Sequence, residues 1–326
     1  VKTALFWYNE TILSQEKNEA FMKKIVFYIS VSAVLFSTME VALKIASAGF
    51  DAFQLTFLRF LIGGLFLLPF AIKRIWHKKI RIQSKDYLYL LLLGTVCIPV
   101  SMIFFQLGVE NANAATAAVI FCINPMFTML FAHFITEEKL NRNKTWALLI
   151  GLTGIFFMIA PWNMAEGNTL LGTLYSTLAA LLFGLYSALG RRTIHRIGGL
   201  PQTSISFLLG SLVMVPILLL LDKPLFASIA WDNLAILLYV GILVTGVGYL
   251  TYFMAMEHGD AATASIVFFI KPGLAPLVAM VILKETLTLN SLLGIALVFV
   301  SSYINLREQG LKSRQKGRSK IPYEHS

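Results

Sequence analysis

Charge is what this 326-residue chain has least of. Only 13% of its residues are Asp, Glu, Lys or Arg, about half the ~25% of an ordinary soluble domain, which excludes a water-soluble globule and a disordered chain alike. Cysteine is nearly absent: Cys97 and Cys122 both lie in apolar runs, so neither a disulfide framework nor a Cys-based metal site is supported. The chain has no P-loop, no His-Glu-x-x-His, no Gly-x-Ser-x-Gly and no Cys-x-x-Cys. Those absences argue against a self-contained ATP-driven pump and against the common enzyme chemistries, and call for no cofactor and no metal.

Apolar residues make up 57% of the chain, and the mean hydropathy is +0.73. That supply covers about nine or ten spans of ~20 residues. Hydropathy places ten, at 25–46, 53–72, 87–108, 114–136, 145–161, 170–190, 203–221, 233–254, 262–283 and 291–306. They must be helices, because lipid offers no partner to unpaired backbone groups and the alternation of a barrel strand is missing. The fold class is therefore all-α integral membrane with ten transmembrane helices.

Basic residues set the expected orientation. Lys73, Arg74, Lys78, Lys79, Arg81 and Lys85 follow the second span, Lys139, Arg142 and Lys144 the fourth, and Arg191, Arg192 and Arg196 the sixth. Only Lys223 and Lys284 fall on the other side. Both termini are thus expected in the cytoplasm, and the net charge of +10 reflects topology and contact with membrane lipid rather than a nucleic-acid partner. Residues 1–24 read as a polar N-terminal extension, with 1–21 a start-site artefact or floppy segment, and 307–326 as a basic cytoplasmic tail.

The two halves repeat each other. Ala114-Ala115-Thr116-Ala117 recurs as Ala261-Ala262-Thr263-Ala264, an offset of 147. Without a gap, the same offset pairs Pro125 with Pro272, Glu138 with Glu285, Asn143 with Asn290, Glu110 with Glu257, Gly94 with Gly241 and Gly63 with Gly210. Apolar coincidences are cheap in membrane sequences, but Pro, Glu, Gly and Asn matches in one register are not. The repeats are 25–161 and 170–306, five spans each, and an odd number forces the second copy to enter the membrane from the opposite side. Inverted repeats of this kind are a recurring carrier architecture.

The Ala-Ala-Thr-Ala entry, the mid-helix Pro, the Glu at the helix end and a fifth span carrying small residues resemble the EamA-type repeat of the drug/metabolite transporter superfamily, twice over. The resemblance implies a ten-helix carrier of a bacterial inner membrane, with a central cavity between its halves and often exporting amino acids or other small metabolites. Where such repeats usually carry Gly in the fifth span, this chain has Ala147 and Gly154, then Gly294 and Ser301.

Charges inside spans mark the candidate site, because burying one is expensive. Lys271 lies near the middle of the ninth span, followed by Pro272, which leaves the Phe268 carbonyl without its helical donor. Its repeat counterpart is Asn124, before Pro125, polar but neutral; that asymmetry points to an anionic or zwitterionic ligand. Glu40 could carry a coupling proton, or form a self-neutralised i, i+4 pair with Lys44. Arg59, whose counterpart is Ser206, could pair with Glu40 or grip a substrate carboxylate bidentately. Substrate binding is thus assigned to Lys271, Asn124, Arg59 and Glu40, proton coupling to Glu40, and hinges to Pro125 and Pro272. Asn113 and Asp260 are expected to cap the fourth and ninth spans. Glu138 and Glu285 are expected at helix C-termini, compensated by neighbouring basic residues.

The expected activity is secondary transport of a small polar metabolite, by alternating access and coupled to protons, with export favoured. A channel-like facilitator, a membrane-bound enzyme and a partner subunit are the alternatives. A homodimer is compatible with any of them.

Overall fold

A computed structural model describes residues 21–135, 142–159, 167–226, 229, 231–258 and 266–318. Among the described residues, seven helices are long and apolar enough to cross a membrane: α1 (Phe21–Ala46), α2 (Ala52–His77), α3 (Ser84–Asn111), α4 (Ala114–Ile135), α6 (Leu170–Ile197), α7 (Gly199–Leu220) and α8 (Trp231–His258). Three have shorter apolar stretches: α5 (Thr145–Ile159), α9 (Ile266–Ile282) and α10 (Leu289–Asn305). The ten expected helices are all found. The first is already helical at Phe21, ahead of the expected Ile25, and the helix containing α10 continues to Arg318.

Local chemistry sets where several helices begin. Asp51 accepts from the Phe53 amide (2.9 Å) at the start of α2. The Gln83 amide donates to Asp86 (2.6 Å) at the start of α3. Thr169 accepts from Gly172 (3.0 Å) ahead of α6. Each satisfies an amide that the first turn of a helix leaves free.

Among the described residues, four helices are interrupted in their interiors. α1 breaks at Thr38, whose hydroxyl bonds the Leu35 carbonyl (2.9 Å) and Tyr239 Oη (2.6 Å). α4 breaks at Cys122 and Ile123, between Ala114–Phe121 and Asn124–Ile135. α3 and α8 each contain a π-helical stretch, Val96–Met102 and Tyr239–Val247, which overlap under the repeat offset. Such turns often accompany functional sites. α9, by contrast, runs unbroken through Pro272 and Pro276.

The repeats are related by an exchange visible in their closest approaches. α3 crosses α7 at Gly94 and Gly210, where a Cβ on Gly94 would stand 2.7 Å from the Gly210 nitrogen. The offset turns that pair into Gly241 and Gly63, and α8 does cross α2 there, with a Cβ on Gly63 standing 3.2 Å from the Gly241 carbonyl. In the same way, Gly154 meets Gly294 between α5 and α10, and its mate contact is Ser301 Oγ donating to the Ala147 carbonyl at 2.6 Å. The fifth-span departures from glycine are thus one pair of facing positions. Small residues let backbones approach where lipid supplies no hydrophobic drive for association.

Side chains at the centre, among them Leu55, Leu67, Phe105 and Phe207, are fully buried, whereas Leu88, Phe134, Leu220, Val281 and Leu289 face outward. Trp76, Trp146 and Trp231 are exposed near helix ends, as interfacial anchors are. Trp162 lies outside the described residues.

Candidate functional site

The break at Thr38 restarts α1 so that Glu40 falls in the first turn of its last segment, facing inward and 1% exposed. Opposite it, α9 presents Lys271, 2% exposed. Lys271 Nζ donates to Glu40 Oε1 at 2.6 Å, an ion pair between the repeats. Glu40 Oε2 is buried without a partner. The lysine ammonium also stands 5.6 Å from the centre of the Phe121 ring. This arrangement corrects the local reading of Glu40: Lys44, one turn away, does not neutralise it. The Lys44 ammonium turns outward, bonding the Ala112 carbonyl and standing 3.8 Å from Glu285.

Arg59, on α2, does not pair with Glu40 either. Its Nη1 and Nη2 lie 3.8 and 3.3 Å from the sulfurs of Met39 and Met102. Its guanidinium carbon rests 4.4 Å from the centre of the Phe60 ring. Asn124 occupies the repeat position of Lys271 but turns to its own helix, with Nδ2 donating to the Phe121 carbonyl at 2.7 Å across the break in α4. Phe121 therefore touches both members of the duplicated pair, its ring facing Lys271 and its carbonyl accepting from Asn124. Pro125 follows the interruption of α4, while Pro272 sits within a continuous helix.

Polar contacts between helices are found toward both ends of the bundle, on either side of this cluster. On the face that carries the ends of α1 and α10 near the termini, Arg74 pairs with Glu257 and Arg196 with Asp86. On the distal face, Glu285 accepts from the amides of Ala114 (2.7 Å) and Ala115 (3.0 Å). The expected cap of α4, Asn113, makes no side-chain cap bond. Glu285 therefore corrects its own sequence reading: it lies beyond the end of α9 and serves the positive end of α4 rather than opposing a helix C-terminus. Glu138, Asp260 and Thr263 lie outside the described residues. Also on the distal face, Lys223 Nζ bonds Asp51 at 2.7 Å, which holds the ammonium above its ordinary range.

Sequence reasoning did not identify Met39, Met102, Phe60 or Phe121 as neighbours of the charges, since nothing distinguishes them from other apolar residues of a span. The usable signals are the cost of charge inside a span and the repeat asymmetry at Asn124 and Lys271.

Two stretches of the chain, 23–160 and 170–307, each match the EamA-like transporter family. The chain belongs to that family. An uncharacterized transporter of Clostridium kluyveri is 36% identical over 290 residues, covering 87% of this chain and 93% of the relative. The uncharacterized transporter YoaV of Bacillus subtilis is 23% identical, covering 87% and 97%. A solved crystal structure with 19% identity superposes at a TM-score of 0.61 over 86% of this chain and 95% of its own, a likeness of fold. This EamA-like protein is thus a multi-pass membrane transporter of the drug/metabolite transporter superfamily, and its paired domains are the two repeats.

Proposed function

We propose that this transporter is a secondary carrier moving a small polar metabolite by alternating access. Its substrate site lies at Lys271, Arg59, Glu40 and Asn124, and Glu40 carries the coupling proton. The observation that carries this reading is the Glu40–Lys271 pair. It joins α1 of one repeat to α9 of the other, between polar contacts toward either end of the bundle. An ion pair is a suitable coupling element because its strength depends on one proton: neutralising Glu40 removes the charge that holds Lys271 and frees the two repeats to exchange shapes. Orientation with both termini cytoplasmic in a bacterial plasma membrane follows from the basic loops. Export is the direction favoured by family resemblance.

Proteoliposomes carrying a pH-sensitive dye test the mechanism. A panel of amino acids and organic acids should contain a compound that drives proton movement through the wild type and shows counterflow. Glu40→Gln should then lose the proton movement while retaining exchange. A passive facilitator shows no counterflow, since preloaded substrate accelerates labelled uptake only through a carrier.

A further inference from the structure

Arg59 is a buried cation that makes no ion pair among the described residues. Its guanidinium stays protonated in proteins and presents five donors, yet it is 2% exposed and meets no carboxylate at ion-pairing distance among the described residues. Its Nε has no partner at all, and its terminal nitrogens reach only the thioether sulfurs of Met39 and Met102. Glu40 is the nearby carboxylate, but it makes no ion pair with Arg59 and its Oε1 is bonded to Lys271, so one carboxylate faces two cations. The cluster of Glu40, Lys271 and Arg59 therefore holds one positive charge in excess.

Thioethers are weak acceptors on flexible side chains, and a carboxylate would displace them. A planar guanidinium fork suits a carboxylate bidentately. Phe60 and Phe105 border that fork, with ring centres 4.4 and 5.9 Å from the guanidinium carbon, which favours an apolar or aromatic body beside the carboxylate. Charge balance narrows the choice. A zwitterion leaves the excess charge in place, a dianion overshoots it, and a monoanion cancels it. Glu40 Oε2, buried and unpartnered, supplies one acceptor for a hydroxyl on the same molecule.

We propose that Arg59 anchors the carboxylate of a monoanionic organic acid with an apolar or aromatic body, which makes such acids the substrate class of this carrier. The proposal rests on the substrate site being at this cluster. Thermal melting of the purified full chain in detergent tests it, with 3-phenyllactate, phenylacetate and hexanoate as monoanions, phenylalanine as zwitterion and phenethylamine as cation, all at millimolar concentration. At least one monoanion should raise the melting temperature above the shift given by phenylalanine, with no shift from phenethylamine. The gain should vanish in Arg59→Met and persist in part in Arg59→Lys. Without ligand, Arg59→Met should melt higher than the wild type, because it removes an uncompensated buried charge; a purely structural arginine would give the opposite sign. Absence of a shift from all three monoanions overturns the proposal, as does an equal shift from phenethylamine or an apo Arg59→Met that melts lower or fails to fold. Counterflow of the stabilising acid reads the carrier mechanism separately. Binding that depends on Arg59 without counterflow would defeat the carrier and leave the anchor. Counterflow confined to zwitterions or amines would defeat the anchor and leave the carrier.

Discussion

Glu285, from the second repeat, caps the first turn of α4 in the first repeat, with its two oxygens 2.7 and 3.0 Å from the amides of Ala114 and Ala115. An N-terminal turn leaves four amides free, and a carboxylate there meets the positive end of the helix dipole. The cap also ties the distal end of α9 to α4, where Val41, Ala114, Ala115 and Ala279 pack together. Glu285→Ala should lower stability by about 1–2 kcal/mol, the usual range for a lost cap, and open the distal face. A cysteine introduced at position 114 should then react faster with an impermeant maleimide than in the Glu285 background. Unchanged reactivity would mean that Glu285 stabilises the protein without closing it.

The Glu40–Lys271 pair should behave as a coupled unit. Removing one partner leaves an uncompensated buried charge, at a typical cost of about 3–5 kcal/mol, whereas replacing both with apolar residues is often neutral. Glu40→Leu and Lys271→Met should therefore each lower the melting temperature, and the double variant should recover most of the loss while transporting nothing. Additive losses across the melting series would show that the two side chains act independently.

Which residues meet was less legible than which residues matter. The ten helices and the duplication follow from hydropathy and from Pro, Gly and Glu falling in one register, because lipid leaves a span few alternatives to helix. Glu40, Arg59 and Lys271 stood out as costly charges. Their pairing did not: Glu40 and Lys271 are 231 positions apart, and the nearest local rule pointed to Lys44. The break at Thr38 settles that choice, and its bond to Tyr239 is itself a tertiary contact. Glu285 was visible as a repeated acid, but a span-level reading cannot tell a carboxylate ending one helix from one capping the next.

Glycines at the inter-repeat crossings should tolerate no side chain, while a helical glycine elsewhere should. A Cβ on Gly94 would meet the backbone of Gly210 at 2.7 Å, and neither backbone can yield. At Gly273 the nearest neighbour is Phe299 Cε2 at 3.4 Å, an ordinary contact. Gly94→Ala should thus push α3 from α7 and lower the melting temperature. Gly273→Ala should leave it unchanged or raise it, since alanine gains ~1 kcal/mol over glycine in a helix. Equal behaviour of the two variants would remove the crossing at Gly94 as a point of close packing.

Membrane sidedness offers the last prediction, and it bears on the inverted arrangement directly. Lys79 lies in the turn after α2, and Lys223 in the turn after α7, its repeat counterpart. If the repeats cross the membrane in opposite senses, these two turns occupy opposite faces even though each follows the second helix of its repeat. Cysteines at 79 and 223, introduced singly in a variant lacking Cys97 and Cys122, should be labelled from opposite sides of the membrane by an impermeant reagent. Position 79 should react only from the cytoplasm, because the basic residues Lys73, Arg74, Lys78 and Arg81 surround it. Labelling of both from one side would require an even number of crossings between them, one more or one fewer than the helices from α3 to α7 provide.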